Sequence, residues 1–174
     1  MTKTLLTIIV LSVATTSYAT DTLCSPQEDV IFSCTTGLKI ASVCASKDLS
    51  PTKGYLQCRY GKVSKVEFLA PKIKKGLPPN LRLTASKDDA IDYNEITFFE
   101  GKYKYSIIST RQLKKIRNGY PTPPNSDSII VEVTNKFLPE ANVHFTGACQ
   151  PDTNPFNAKE LSILIGVPVV KAGF

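Results

Sequence analysis

The sequence predicts an all-β protein, an antiparallel meander of hairpins that forms a barrel or a sandwich, with a short C-terminal helix. Stretches in which apolar and polar residues alternate recur along the chain, and glycine-containing turns separate them. Alternation on both sides of a tight turn is typical of β-hairpins, and a succession of short strands is typical of sandwiches and barrels. Close to the C-terminus the spacing of apolar residues becomes helical. We therefore expect hairpins completed by one helix.

Residues 1–19 have the pattern of a signal peptide. A short basic start ending at Lys3 precedes an uncharged apolar run over residues 5–13, and Ser17 and Ala19 are the small residues that a signal peptidase reads. The run is too short to span a bilayer, which takes about 20 apolar residues, and no other stretch is apolar enough to do so. We therefore expect residues 20–174 to form a single disulfide-bonded β domain that is periplasmic or secreted.

All five cysteines, Cys24, Cys34, Cys44, Cys58 and Cys149, lie in the predicted mature chain. Cysteines of small exported domains usually pair, and an odd number leaves one thiol over. There is no CxxC spacing, and the single histidine is far along the chain from the first four cysteines. This arrangement favours disulfides over a metal site, and we expect no cofactor.

The first predicted hairpin turns at Thr36-Gly37. With a three-residue loop, Cys34 and Cys44 share a face but lie about 13 Å apart along the sheet. The Cα atoms of a disulfide lie within about 7 Å, so this register excludes a bridge between them. Cys24 can instead fold back to Cys44, which leaves Cys34 for Cys149. This connectivity is a hypothesis.

The second predicted hairpin covers residues 54–69 and turns near Gly61. A three-residue loop opposes Cys58 to Val66 and places the thiol on the apolar face. Reactive cysteines need an electropositive and partly exposed site, whereas a buried thiol behaves as a small apolar group. Cys58 is therefore the candidate for the free thiol.

The strongest hairpin signal lies at residues 95–108, after a short strand at residues 81–85. A two-residue turn at Glu100-Gly101 pairs Ile96 with Tyr105, and Gly101 supplies the positive φ that a tight turn needs. One face of this hairpin then carries the apolar side chains of Ile96, Phe98, Tyr103, Tyr105 and Ile107.

The last strand pair is predicted over residues 128–145, with its bend at residues 134–140. Asn157 then fits the N-cap of a helix, with Glu160 three residues later as in a capping box. The apolar stripe of this helix, before the stop at Gly166 and Pro168, consists of Leu161, Leu164 and Ile165.

Two basic segments are the candidates for partner binding. Residues 71–80 and the segment RQLKKIR contribute Lys72, Lys74, Lys75, Arg111, Lys114, Lys115 and Arg117. If the segments flank one end of the fold, they form a single basic rim for an acidic protein or an anionic envelope component. The alternative is that these are ordinary solvated loop charges. We expect no nucleic-acid partner, because the protein is exported and its aromatic residues lie on the core face.

Candidate groups for catalysis are few. A hydrolase would have to use His144, and a thiol-redox protein Cys58. A lone histidine in a strand is more often structural, because catalysis also needs a nucleophile and an orienting acid in the right geometry. We find neither a calcium-binding loop nor a glycine-rich phosphate loop in the sequence. The sequence thus favours an exported, non-catalytic binding domain, with a small cell-envelope hydrolase or thiol-redox protein as the alternative.

The segment FSC…KIASVCAS…GYLQCRYGK…VEF, from Phe32 to Phe68, resembles a group of small exported proteins of Gram-negative bacteria. In that group an FSC strand, a SVCAS strand and a GYLxYRYGK hairpin recur, and the stretch ITFFEGKYKYSII resembles its FxNGxYxY hairpin. Those proteins tend to carry an aromatic residue where this chain has Cys58, and the resemblance thus implies an unpaired core role for the thiol. The group has no known activity. In architecture alone the chain is also similar to periplasmic lysozyme inhibitors, which implies an inhibitor-like function, although it lacks their SxSGxxY loop.

Overall fold

The protein folds into two stacked β-sheets, as described by a computed structural model for residues 21–113, 126–133, 142–149 and 156–172. The elements, in chain order, are β1 (Glu28–Thr36), β2 (Lys39–Ser46), β3 (Leu56–Lys62), β4 (Lys65–Ala70), β5 (Arg82–Lys87), β6 (Ile91–Glu100), β7 (Tyr103–Gln112), β8 (Ser126–Val133), β9 (Asn142–Ala148), α1 (Ala158–Ile165) and β10 (Val169–Lys171). One sheet has the order β1-β2-β3-β4 and the other β10-β5-β6-β7-β8-β9. The predicted all-β class is confirmed. Of the two architectures the sandwich is correct, because the described strands form two sheets and do not close into a barrel.

The core lies between the two sheets. Phe32 and Leu56 of the four-stranded sheet face Ile96, Phe98 and Ile107 of the six-stranded sheet, and all five side chains are almost completely buried. These side chains sit at alternating positions along their strands, as the pleat requires. The alternation in the sequence therefore identified the core face of the central hairpin correctly.

The register of that hairpin differs from the prediction by two residues. Glu100 pairs with Tyr103 and Ile96 with Ile107, so the turn consists of Gly101 and Lys102. Gly101 has a φ of 61°, as expected for this turn. A shift of two residues keeps every side chain on its own face, whereas a shift of one would exchange the faces. Four side chains of the predicted apolar face are therefore buried and the fifth, Tyr103, is partly buried, although the predicted pairs were wrong.

The first two hairpins also turn more tightly than predicted, each with a two-residue loop. Thr36 pairs with Lys39, and Cys58 lies opposite Ala70 instead of Val66. Gly61 is not at the turn: it lies at an irregularity of the β3–β4 pairing, and a Cβ added there would approach the carbonyl oxygen of Lys65 to 2.5 Å. Gly61 is needed because the two backbones approach closely there. The predicted turn was misplaced because this glycine was taken as a turn residue.

The C-terminal helix has the predicted caps. The Asn157 side chain accepts hydrogen bonds from the amides of Lys159 and Glu160, and Gly166 ends the helix with a φ of 69°. Leu161 and Ile165 are buried, but Leu164 is 46% exposed and does not belong to the buried stripe. The final strand β10, which pairs in parallel with β5, was not predicted.

Two disulfides tie the fold together, Cys24–Cys44 and Cys34–Cys149, with Cα–Cα distances of 5.3 and 5.4 Å. These are the pairings that we hypothesised. The second bridge joins the edge strand β1 to the residue after β9, the edge strand of the other sheet. No helix in the described ranges is long and apolar enough to cross a membrane. Residues 1–19 and the predicted bend at residues 134–140 lie outside the described residues.

Candidate functional site

A buried carboxylate organises one end of the four-stranded sheet. Glu28 begins β1, and its side chain is only 2% exposed. Its Oε2 accepts hydrogen bonds from Arg59 Nη1 at 2.7 Å and from the amide of Ser25 at 2.6 Å. Its Oε1 accepts from Lys74 Nζ at 2.9 Å and also from Arg59 Nη2 and the Tyr55 hydroxyl. The carboxylate is thus fully occupied.

Arg59 is equally well satisfied, and its side chain is 7% exposed. Its Nε donates to Gln57 Oε1 at 2.9 Å, and Nη1 also donates to the carbonyl of Leu23 at 2.7 Å. Gln57 in turn donates to the carbonyl of Pro71 at 2.7 Å. The network therefore joins β3 to the chain before β1 and to the loop after β4. We call Glu28, Tyr55, Gln57, Arg59 and Lys74 the buried ionic cluster.

The cluster keeps Glu28 ionised. Burial alone would raise the pKa of this carboxyl, but the hydrogen bonds from Arg59, Tyr55, Ser25 and Lys74 outweigh burial and hold the pKa well below its usual range. Burial and the neighbouring Glu28 raise the pKa of the Tyr55 hydroxyl, which therefore stays protonated and donates. A carboxylate with all its acceptor sites filled is unsuited to take a proton from a substrate. The cluster therefore holds together the segments that its hydrogen bonds join.

The segment before β1, which we call the leader segment (residues 21–27), packs on the outer face of the same sheet. The amide of Leu23 donates to Ser42 Oγ at 3.0 Å, and Ser33 Oγ donates to the carbonyl of Asp21 at 2.8 Å. The Cys24–Cys44 bridge fixes it covalently. The small polar residues of the outer face are therefore buried by the leader segment.

The first predicted basic segment forms a loop above the buried ionic cluster; we call residues 71–76 the basic loop. Lys74 ties it to Glu28, and the Lys74 ammonium also lies 5.1 Å from the centre of the Tyr55 ring. The backbone amide of Lys72 donates to Glu100 at 3.3 Å. The side chains left exposed by these anchors are Lys72, Ile73 and Lys75.

The second predicted segment behaves differently. Arg111 makes a two-pronged ion pair with Asp127, at 2.7 and 2.8 Å, and Asp127 is 4% exposed. This arginine is committed to joining β7 and β8. Lys114, Lys115 and Arg117 lie outside the described residues.

Arg111 does not share a rim with the lysines of the basic loop, so the single-rim hypothesis is wrong for the described members of the two segments. The Lys72 amide contacts Glu100, at the turn between β6 and β7. Arg111 pairs with Asp92 at the opposite end of the same two strands. Eight residues of strand separate Glu100 from Asp92, a distance of about 27 Å. The described members of the two segments therefore lie at different ends of the sandwich.

Cys58, the candidate for the free thiol, is unpaired and is 2% exposed in the core. Burial raises its pKa to about 12. The thiol stays protonated near neutral pH, which is the reverse of what a redox nucleophile needs. His144 belongs to β9, but its side chain is outside the part of the chain that the structure describes.

Two surface cavities lie against the described residues of β1, α1 and β10. One of about 290 Å³ lies between β1 and α1, and one of about 500 Å³ lies beside Arg82 and Phe99. The described residues that line them include no His, Cys or Ser. Within the described ranges, no three His, Cys, Asp or Glu side chains come together in a group that could hold a metal ion.

The fold and the candidate site define a class: a disulfide-bonded β-sandwich with a cationic loop built on a buried ionic cluster. No protein-family model, curated protein or solved structure matches this chain.

The sequence pointed to the basic loop but not to the cluster below it. Glu28 stands in a stretch that looks irregular, 31 residues before Arg59. A carboxylate at the start of a strand is usually exposed. The one available signal was the pair Gln57 and Arg59, two polar side chains on the face of β3 opposite to Cys58.

Proposed function

We propose that the protein is an exported, non-catalytic binding domain of the cell envelope. Its basic loop captures an acidic protein, in the manner of an inhibitor, or an anionic glycan. The observation that carries the proposal is that this loop is held from below by Lys74 and Glu28 while Lys72, Ile73 and Lys75 stay exposed.

Export is supported by two features. Residues 1–19 have the pattern of a signal peptide, and four cysteines are paired in disulfides, which form and persist in oxidising compartments.

The anchors of the basic loop favour binding. A loop that is already ordered loses little conformational entropy when a partner binds. The ammonium groups of Lys72 and Lys75 have no counter-charge among the described residues, and Ile73 is 73% exposed between them. A surface with two free cations around one apolar side chain complements an anionic partner with some apolar area.

The test uses two soluble polyanions as probes, a fluorescent polyglutamate peptide for an acidic protein and polygalacturonate for an anionic glycan. We expect the wild-type protein to bind at least one of them at low salt, and added salt to weaken the binding. In the double variant Lys72→Glu/Lys75→Glu, affinity should fall at least about tenfold, since each reversed charge replaces attraction by repulsion. Fluorescence anisotropy measures the binding of the polyglutamate peptide, and calorimetry measures the binding of polygalacturonate.

The matched control is Lys159→Glu/Lys171→Glu, which makes the same charge change on α1 and β10. We expect its affinity to stay within about threefold of wild type, which is the size of a long-range charge effect. Equal losses in the two double variants would show that only net charge matters and would refute the role of the loop. So would a wild-type protein that binds neither polymer at low salt.

Thiol titration of the folded protein addresses the thiol-redox alternative. Cys58 should not react with a disulfide reagent near neutral pH and should react at once in denaturant, because it is buried and protonated. Rapid labelling of the native protein would favour the redox function.

A further inference from the structure

The end of the four-stranded sheet far from the basic loop carries a second exposed surface. Two hairpin turns lie side by side there, Gly37-Leu38 between β1 and β2 and Val63-Ser64 between β3 and β4. Ile40 pairs with Gly61, and continuing this register places Leu38 beside Val63. We call the two turns the hairpin tips.

Both tips expose large apolar side chains. Leu38 is 86% exposed and Val63 is 73% exposed, and the tips border an open cavity of about 480 Å³. A single exposed apolar residue needs no explanation, but two at the apices of adjacent turns form an exposed apolar patch.

Two lysines lie next to this apolar patch. Lys62 and Lys65 pair with each other directly across the turn, both are exposed, and neither has an ionic partner among the described residues. Like charges opposite each other in a hairpin destabilise it. The neighbouring Lys39 differs, because it pairs with Glu67 at 2.7 Å. The two lysines therefore do not stabilise the fold through an ion pair with a described residue.

We infer that the hairpin tips dock the protein onto an anionic lipid bilayer surface. Leu38 and Val63 would enter the boundary between headgroups and acyl chains. Lys62 and Lys65, one and two positions from Val63, would stay at the depth of the phosphates. Long lysine side chains reach such a level while their stems remain in apolar surroundings.

The shape and the charge together favour a lipid surface over an acidic protein. Two highly exposed apolar side chains at turn apices can enter a bilayer, which deforms around them, whereas a protein partner would need a complementary pocket. Each lysine close to an anionic bilayer strengthens attachment about fivefold, and apolar burial adds to this. Neither term alone gives stable attachment, so the proposed docking requires both.

One carboxylate, Asp21, also lines the cavity and is exposed. It opposes attraction to an anionic surface. The variant Asp21→Asn should therefore bind anionic vesicles more tightly, by about threefold to fivefold, whereas a cationic partner would be bound more weakly.

The absence of tryptophan from the chain allows a direct test. Leu38→Trp places a single fluorophore on the tip, and Ile163→Trp places one at an equally exposed site, 84%, on α1. The first should shift its emission to the blue with vesicles of phosphatidylglycerol and phosphatidylcholine in equal parts, but not with phosphatidylcholine alone. The second should not shift with either.

Vesicle co-sedimentation then separates the contribution of the lysine charges from that of the apolar side chains. Lys62→Glu/Lys65→Glu should lower the partition coefficient by at least about 30-fold. Leu38→Ser/Val63→Ser should lower it while leaving the salt dependence unchanged. Both changes are on exposed turns, and an unaltered thermal transition verifies that each variant is folded.

The inference does not depend on the basic loop, and the same assay distinguishes the two sites. Lys72→Glu/Lys75→Glu should sediment with vesicles as wild type does. Loss of vesicle binding in this variant and not in the tip variants would overturn the inference. It would also be overturned if wild type ignored phosphatidylglycerol, if both tryptophans shifted alike, or if the tips bound polyglutamate but no vesicle.

Discussion

The two ends of the four-stranded sheet use positive charge in opposite ways. At one end, Arg59 and Lys74 are matched by Glu28, a carboxylate that is 2% exposed. At the other end, Lys62 and Lys65 face each other across a turn and have no such match. The number of cations therefore says little about where a partner binds. A cation that forms an ion pair within the protein stabilises the fold. A cation without such a pair is available to a partner.

The largest effect is expected at the matched end. Glu28→Ala should lower the free energy of unfolding by about 3–5 kcal/mol, because it leaves the Arg59 guanidinium buried and unpaired. Urea denaturation measures the change. The control is Glu67→Ala, which breaks the half-exposed pair with Lys39 and should cost about 1 kcal/mol or less. Equal losses in the two variants would mean that burial does not distinguish the two ion pairs.

The pH dependence of stability comes next. The folded pKa of Glu28 lies well below the ordinary value of 4.5. Its contribution to stability is therefore fully present above pH 4.5 and is lost as the pH falls from there through the folded pKa. Stability should therefore decline below about pH 5, as the unfolded chain begins to take up the proton. Glu28→Gln should flatten this decline without moving its start. An unchanged acid slope in that variant would assign the decline to other carboxyls.

Within the basic loop, the neighbouring residues Lys74 and Lys75 should differ in how much they contribute to stability. Lys74→Met removes one of several donors to Glu28 from a side chain that is 46% exposed, and it should cost about 1 kcal/mol. Lys75→Met, one residue away, should stay within about 0.5 kcal/mol of wild type because its ammonium is solvated. The two melting curves test whether Lys74 is an anchor, and coinciding curves would argue that it is not.

The smallest predicted change is an increase in stability. Lys62→Glu replaces a like-charge pair by an opposite-charge pair with Lys65, so it should raise stability by about 0.2–1 kcal/mol. Val63→Ser, at the apex of the same turn, should change stability by less than about 0.5 kcal/mol. A loss of stability in Lys62→Glu would show that the lysine pair contributes to the fold, which would remove a main reason for assigning it to a partner.

Local patterns predicted the features that local physics determines. The alternation around Phe98 and Tyr105 gave the correct core face, and Asn157 and Gly166 gave the helix ends, because caps and pleats depend on near neighbours. Registers were less accurate: in the central hairpin, a turn moved by one residue shifts the pairing by two and leaves the alternation unchanged. Gly61 was misinterpreted for a related reason, since a glycine needed for close approach looks like a glycine needed for a turn.

The features that the sequence did not predict depend on contacts between residues far apart in the chain. No short-range pattern links Glu28 to Arg59 or places Arg111 and Lys72 at opposite ends of β6 and β7. The strand β10 was missed because its few residues pair with β5, more than 80 positions earlier. The hairpin tips did leave a signal that was overlooked: both turns contain an apolar residue next to a lysine, in GLK and in KVS.

The disulfide connectivity has a consequence for how the chain matures. If the protein crosses a membrane from its N-terminus, Cys34 emerges before Cys44, yet its partner Cys149 follows 115 residues later. Oxidation in order of appearance would join Cys24 to Cys34 and Cys44 to Cys58, and neither link is native. Productive maturation therefore requires Cys34 to stay reduced until the last strands arrive, or early links to be exchanged by a thiolate. In that order of oxidation the thiol left over is Cys149. Its attack on Cys34 forms the native bridge and releases Cys24, which can then attack Cys44 and release Cys58 as the free thiol.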